Sequence, residues 1–320
     1  MQHNYSLVSF FSGVSGSSLG WHNTGRINEL LAIDCNDYVE KCFTLNFPGV
    51  PFWNTSLGKE LSAQDIMNKA NIKEGELDIL AASPPCQGFS KAKGKRDIGD
   101  NRNDLYMDTI NYILSIRPKC FVIENVEGLV TGNMKLRFNQ LSRKIFNSEY
   151  LAGWIVLTAS DYGVPQLRKR LFYLGIRKDI AGNDFDINSL IPKALSISKS
   201  SLSIKNYVEK DIDFFTMGQF DKTMLTKNDI CRTITATPSM KFYKNGVERM
   251  PTITEIKRLC SFPDDFKLYS EKDGIDSKTG KEYNYIQKYH GLGNSVPPKL
   301  MEAIGNKIIQ TINFNNNVNN

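Results

Sequence analysis

The chain has 320 residues, 41% of them hydrophobic, enough for one large domain or two smaller ones around a sizeable core. Six cysteines (35, 42, 86, 120, 231 and 260) form no C-x-x-C pair and the three histidines (His3, His22, His290) are dispersed, which argues against a zinc site or a disulfide framework and suits a cytoplasmic protein with reduced thiols. The net charge of +6 is compatible with nucleic acid without establishing it, and no apolar run approaches membrane-spanning length.

Leu7–Phe11 is the first predicted strand. It has no basic leader or small-residue cleavage site and runs into a Gly-rich turn, so it is not read as a signal-peptide core. Further strands are predicted over Leu30–Ile33, Leu77–Ala82, Cys120–Ile123, Trp154–Thr158 and Leu171–Ile176. Asp104–Ile116 places Leu105, Ile110, Ile113 and Leu114 at helical spacing, and Arg117-Pro118 closes it. This alternation predicts an α/β fold with a Rossmann-like, doubly wound, mostly parallel sheet. After about Arg177 the texture changes, and residues 181–250 read as a smaller, loop-rich domain. Val296–Ile312 reads as a helix entered through Pro297-Pro298, followed by a frayed tail over Asn313–Asn320.

Chemistry-bearing residues recur at strand ends, where open α/β sheets bind ligands. Phe11-Ser12-Gly13-Val14-Ser15-Gly16 follows the first strand and can turn a backbone tightly against a ligand; it is not G-x-G-x-x-G, so a nicotinamide reading is weak. Asp34 ends the second strand, where an acid commonly holds a ribose. Pro84-Pro85-Cys86-Gln87-Gly88 stops another strand and presents a thiol, as nucleophile or as small buried hydrophobe. Glu124-Asn125 ends a further strand, and Gln166-Leu167-Arg168-Lys169-Arg170 enters the next, as ligands or as a solvated basic edge.

With these residues in this order, from Phe11 to Pro298, the chain resembles the S-adenosylmethionine-dependent DNA (cytosine-C5) methyltransferases. The resemblance also rests on Asp65-Ile66, Arg102 to Tyr106, Arg232-Thr233-Ile234-Thr235 and Gly293-Asn294-Ser295-Val296-Pro297. It implies a class I methyltransferase fold, with a catalytic, cofactor-binding domain over 1–180 plus 291–320 and a target-recognition domain over 181–290. It implies that Cys86 attacks C6 of a flipped-out cytosine, that Glu124 neutralises N3 with a carboxyl of raised pKa, and that Arg170 holds O2. Arg168 would organise the pocket and Asn125 would fix the loop carrying Cys86. For S-adenosylmethionine, with S-adenosylhomocysteine as product, it implies contacts from Phe11, Gly13, Ser15, Gly16, Asp34, Asp65, Ile66, Pro85, Leu105, Asn294, Ser295 and Val296, and no metal.

Ser15 and Asp34 depart from the family's usual Gly and Glu; Ser15 can keep a tight turn if φ stays negative. Gln87–Asp104, with Gly88, Gly94 and Gly99 as hinges and Lys91, Lys93, Lys95 and Arg96 as cations, would close over double-stranded DNA. Lys222, Lys227, Lys241, Lys244 and Arg249 are candidate DNA contacts or plain solvated cations. A monomer in a bacterial or viral-host cytoplasm is expected, with no membrane partner and with a cognate restriction endonuclease as an optional, separately acting partner. Alternatives are a tRNA cytosine-C5 methyltransferase and a catalytically inactive DNA-binding relative.

Overall fold

The structure, a computed structural model, describes residues 4–58, 60–85, 104–131, 134–182, 185–218, 223–272, 274–276, 281–282 and 284–318. The first half alternates β1 (Tyr5–Phe10), α1 (Gly16–Asn23), β2 (Ile27–Asp34), α2 (Asp37–Asn46), β3 (Phe52–Asn54), α3 (Ala63–Ala70), β4 (Ile79–Ala82), α4 (Asp104–Ile116), β5 (Cys120–Val126) and α5 (Met134–Phe146). There follow β6 (Tyr150–Thr158), β7 (Lys169–Arg177) and the short α6 (Lys178–Ala181). Each of the six predicted strands is present, and α4 has the predicted limits. β3 was not predicted: three residues after Pro51 are too short to show a period.

These seven strands form one sheet in the order β3-β2-β1-β4-β5-β7-β6. The first five are parallel, whereas β7 runs antiparallel to both β5 and β6. Successive side chains of a strand point to opposite faces, and the two large cores follow that alternation. Val8, Phe10, Leu80, Phe121 and Ile123 face a core shared with α3, α4 and α5. Leu7, Ile79, Ala81, Val122 and Phe172 face the other core, shared with α1 and the last helix, α9. Burying each large side chain contributes about 1.5–3 kcal/mol.

The smaller lobe holds an antiparallel sheet of β8 (Phe214–Met217), β9 (Thr223–Thr226), β10 (Lys241–Lys244) and β11 (Val247–Arg249), in the order β11-β10-β8-β9. Helix α7 (Ile253–Leu259) follows, opened by a capping box between Thr252 and Glu255. The short pair β12 (Ile275–Asp276) and β13 (Lys281–Glu282) leads to α8 (Tyr285–Asn294) and then α9 (Pro298–Val318). Phe215, Phe242, Ile256, Leu259, Tyr289 and Leu292 make this lobe's core together with Val14 and Cys42 of the larger lobe. The two lobes therefore share apolar packing directly beside the turn after β1. Ala181 and Leu190 still pack with the large sheet, and Ile204 is the first residue of the chain beyond them in the small core.

α9 turns Leu300, Ile304, Ile308 and Ile312 inward and lies close against α1: a Cβ on Gly20 would come within 2.5 Å of the Pro298 carbonyl oxygen. Its helix continues to Val318 through residues expected to fray. Asparagine is only mildly unfavourable in a helix, and no Gly or Pro interrupts the run after Gly305.

Candidate active site

A cavity of about 460 Å³ opens at the carboxyl edge of β1, β2, β4 and β5. The turn after β1 forms one part of its wall. Phe11, Gly13 and Ser15 have φ of 55°, 54° and 71°, so three of five consecutive residues are left-handed. The condition of a negative φ at Ser15 is therefore not met. Ser15 N donates to Ser12 O over 3.1 Å, and this tight turn requires the left-handed geometry that glycine adopts without strain. Non-glycine residues held this way cost about 1–3 kcal/mol each, and such strain concentrates at ligand sites. Phe11 and Gly13 line the cavity; Ser15 and Gly16 are not among its lining residues. Gly16 serves packing instead, because a Cβ there would lie 2.1 Å from Ser295 Oγ and 2.3 Å from Val296 O. It lets α1 begin directly against the segment that carries Asn294, Ser295 and Val296, all three of which line the cavity.

Asp34 ends β2 beside that turn. Its Oδ2 accepts from Gly13 N over 3.0 Å and its Oδ1 from Asn36 N over 3.1 Å. Burial raises its pKa, and the N–H groups of Gly13, Asn36 and Cys35 oppose the shift. Asn36 caps α2 by accepting from Tyr38 N over 2.9 Å, which brings Cys35, Tyr38 and Val39 into the same wall. Sequence reasoning missed these residues, although an Asn N-cap directly after a strand-end acid was a usable signal.

The other part of the wall comes from β4, β5 and β7. Ser83 N donates to Phe10 O over 3.2 Å, seating the start of the Ser83-Pro84-Pro85 segment against β1. Asn125 Nδ2 donates to Pro84 O over 3.2 Å, and Asn125 Oδ1 accepts from Val126 N over 2.8 Å. Asn125 thus anchors the segment that leads to Cys86. Cys86 itself, with the loop 87–103, lies outside the described residues. Because β7 is antiparallel to β5, its entry lies at the exit of β5, with Arg170 opposite Val126. Arg170 Nε consequently lies 3.0 Å from Glu124 Oε1, both side chains being nearly buried. The Glu124 carboxyl is nonetheless raised above its ordinary pKa. Burial is the largest cause, opposed by the charges of Arg170 and Arg168 and by the hydrogen bond from Arg170.

At a period of two, Gln166, Arg168 and Arg170 point inward while Leu167 and Lys169 are exposed. Arg170 lines the cavity. Arg168, 2% exposed, is a brace beneath it: Nη1 donates to Ile234 O and Gly293 O over 2.9 and 3.0 Å, and Nη2 to Ser295 O over 3.0 Å. Gln166, fully buried, donates to Leu259 O over 3.3 Å and accepts from Ile234 N over 3.0 Å. These two residues tie the small lobe and the start of α9 to β7.

Three further expected cofactor residues, besides Ser15 and Gly16, are not among the lining residues. Asp65 spends its carboxylate in the capping box of α3, accepting from Ser62 N over 3.0 Å and from Ser62 Oγ over 2.6 Å; those hydrogen bonds lower its pKa. Ile66 is fully buried in the sheet's core. Leu105 lies near Gly58 and is not among the lining residues. The residue opposite Asp34 on β3 is Asn54, so the strand end beside the acid is eleven residues earlier than Asp65.

The candidate DNA-contacting cations of the small lobe are neutralised. Lys227 lies 3.2 Å from Asp211, Lys244 lies 2.8 and 2.9 Å from Asp211 and Asp213, Lys241 pairs with Glu248, and Arg249 lies 2.7 Å from Glu255. Lys222 lies outside the described residues. Among the described residues, no group of three or more His, Cys, Asp or Glu side chains is placed to hold a metal ion, and no helix is long and apolar enough to cross a membrane.

A mostly parallel Rossmann-like sheet, with a strained turn after β1, an acid at the end of β2 and a buried carboxyl on β5 paired to an arginine, has the class I methyltransferase fold. The chain belongs to the C-5 cytosine-specific DNA methylase family, whose model matches residues 5–239 and 197–310, and it is a DNA cytosine-5 methyltransferase. It is 26% identical to the Type II methyltransferase M.XorII of Xanthomonas oryzae pv. oryzae, over 95% of this chain and 84% of that protein. It is 27% identical to the Type II methyltransferase M1.HphI of Haemophilus parahaemolyticus, over 95% of this chain and 86% of that protein. The S. pombe Dnmt2 methyltransferase structure shares the fold, with a TM-score of 0.69 at 18% identity, covering 97% of this chain and all of the other.

Proposed function

We propose that the enzyme methylates C5 of a flipped-out cytosine within a short duplex DNA sequence, using S-adenosylmethionine and a covalent adduct between Cys86 and C6. The observation that carries this reading is the Glu124–Arg170 pair, held in one cavity with the Gly13–Asp34 turn and with the Asn125-anchored prolines that precede Cys86.

The cavity wall suits the cofactor. The Asp34 carboxylate accepts from Gly13 N and Asn36 N, and with about four lone-pair sites it can also accept from a ribose hydroxyl. A Cβ built on Gly13 would meet nothing within 4 Å, so a ligand can approach the backbone there. Phe11, Asp34 and Asn294–Val296 would hold the cofactor, and Tyr38 and Val39 extend that surface. When bound, the cofactor supplies an electrophilic methyl group.

The protein's residues make C5 able to accept that methyl. Cys86 as thiolate adds to C6, and the ring's electrons shift toward N3 and C5. Glu124, whose carboxyl pKa burial raises, shares a proton with N3 and offsets the developing charge, while Arg170 fixes O2 and the carboxyl together. After C5 is methylated, its proton leaves to a base and Cys86 is expelled, restoring the aromatic ring. Extruding the base from the duplex costs a few kcal/mol.

The enzyme would act as a monomer in the cytoplasm, its modification protecting DNA from a separately acting endonuclease. The test is DNA carrying 5-fluorocytosine at the modified position, which has no C5 proton to lose. A complex surviving denaturing electrophoresis with wild type, and absent with Cys86→Ser, is the expected result. With no such complex, C6 attack is wrong. A covalent complex with tRNA alone would transfer the reading to the RNA substrate.

A further inference from the structure

One helix face in the cavity wall has, apart from Asn294 at its end, no part in the steps above. α8 turns Tyr285, Tyr289 and Leu292 into the small lobe's core and presents Gln287, His290, Gly291 and Asn294 to the cavity. The spacing i, i+3, i+4, i+7 makes these four one stripe. The stripe is seated on the turn after β1, since a Cβ on Gly291 would lie 2.5 Å from Val14 Cγ1. Asn294 Nδ2 lies 3.4 Å from the His290 ring nitrogens, so amide and imidazole form one polar group at the cavity mouth.

Charge decides what this group can receive. The cavity's ionisable lining side chains are Asp34, Cys35, Tyr38, Glu124, Arg170 and His290. Two are carboxylates, and the Arg170 guanidinium is engaged by Glu124. A ligand bearing its own carboxylate therefore finds, among the described lining residues, His290 as the remaining side chain able to carry positive charge. Imidazole donates an N–H in either protonation state, and Gln287 adds amide donors three residues before it.

We propose that His290, with Gln287 beside it, binds the carboxylate of the amino-acid part of S-adenosylmethionine. This rests on the cofactor assignment above and extends it to side chains of α8. Sequence reasoning reached only Asn294–Val296 at the end of that helix.

Calorimetric titration with two probes tests it. S-adenosylhomocysteine carries the amino-acid part; 5′-methylthioadenosine keeps the adenosine and thioether and lacks that part. His290→Ala should weaken S-adenosylhomocysteine about tenfold, the loss of a charge-assisted hydrogen bond, and leave methylthioadenosine within about twofold. Gln287→Ala should show the same selectivity with a smaller loss, and His290→Lys should retain S-adenosylhomocysteine binding. Unchanged methylthioadenosine binding also verifies that each variant is folded. Equal losses for the two probes, or no loss for either, would overturn the role of His290. Wild-type protein that binds neither probe would instead overturn the cofactor assignment itself.

Discussion

At the ends of β1 and β2 the cavity is shaped by backbone: left-handed Phe11, Gly13 and Ser15, with N–H groups aimed at Asp34. At the ends of β5 and β7 it is shaped by side chains, with Glu124 against Arg170 and Asn125 against the Pro84 carbonyl. The two parts should fail differently. A wall made of backbone keeps its shape when a side chain changes, so its losses appear as affinity or stability. A wall made of one carboxyl and one guanidinium has no substitute for either, so its losses appear as rate.

The sharpest way to break this contrast is Glu124→Gln. It should lower turnover about 10²–10³-fold while DNA affinity stays within a few-fold, read by methyl transfer and by gel shift. Equal losses in both would make Glu124 a binding residue. The pH dependence adds a sign. Burial raises the Glu124 pKa, so its protonated form persists above the ordinary carboxylate range and is lost as pH rises through the raised value. Turnover should acquire a falling limb there that Glu124→Gln lacks; identical pH profiles would remove the proton role.

Asp34→Ala tests the backbone wall. It should weaken S-adenosylhomocysteine about tenfold, the order of a lost hydrogen bond to a charged group, with turnover at saturating cofactor nearly unchanged. A collapse of turnover at saturation would show that the two walls are not separable. The smallest effect is Ser15→Gly, which should raise stability by about 1 kcal/mol by relieving a left-handed residue, with activity retained. A lower melting temperature would mean that the Ser15 side chain holds the turn.

Most of the large sheet was legible because β4 and β5 are continuous apolar runs and α4 has a clear helical period. The small sheet was not: its strands have three or four residues, and half of β9 and most of β11 face solvent, so no alternation accumulates. Glu124 and Arg170 could be named as site residues from the chain. Their contact depended on the reversal of β7, which strand-and-helix alternation does not reveal. Asp65 was assigned to the cofactor through the family resemblance alone, and its carboxylate caps α3. His290 faces the cavity only because two lobes meet there, and neither residue type nor spacing announces a meeting.

The Arg168 brace also has a meaning in time. Its carbonyl partners at Ile234, Gly293 and Ser295 come 66, 125 and 127 residues later in the chain. A ribosome making this protein has finished every strand of the large sheet well before the last of them emerges. Contacts of such long sequence separation form late and slowly. The nascent chain can thus assemble its sheet early, but the pocket closes only after Ser295 has emerged, so a shorter ribosome-bound fragment holds Glu124 and Arg170 without the complete pocket.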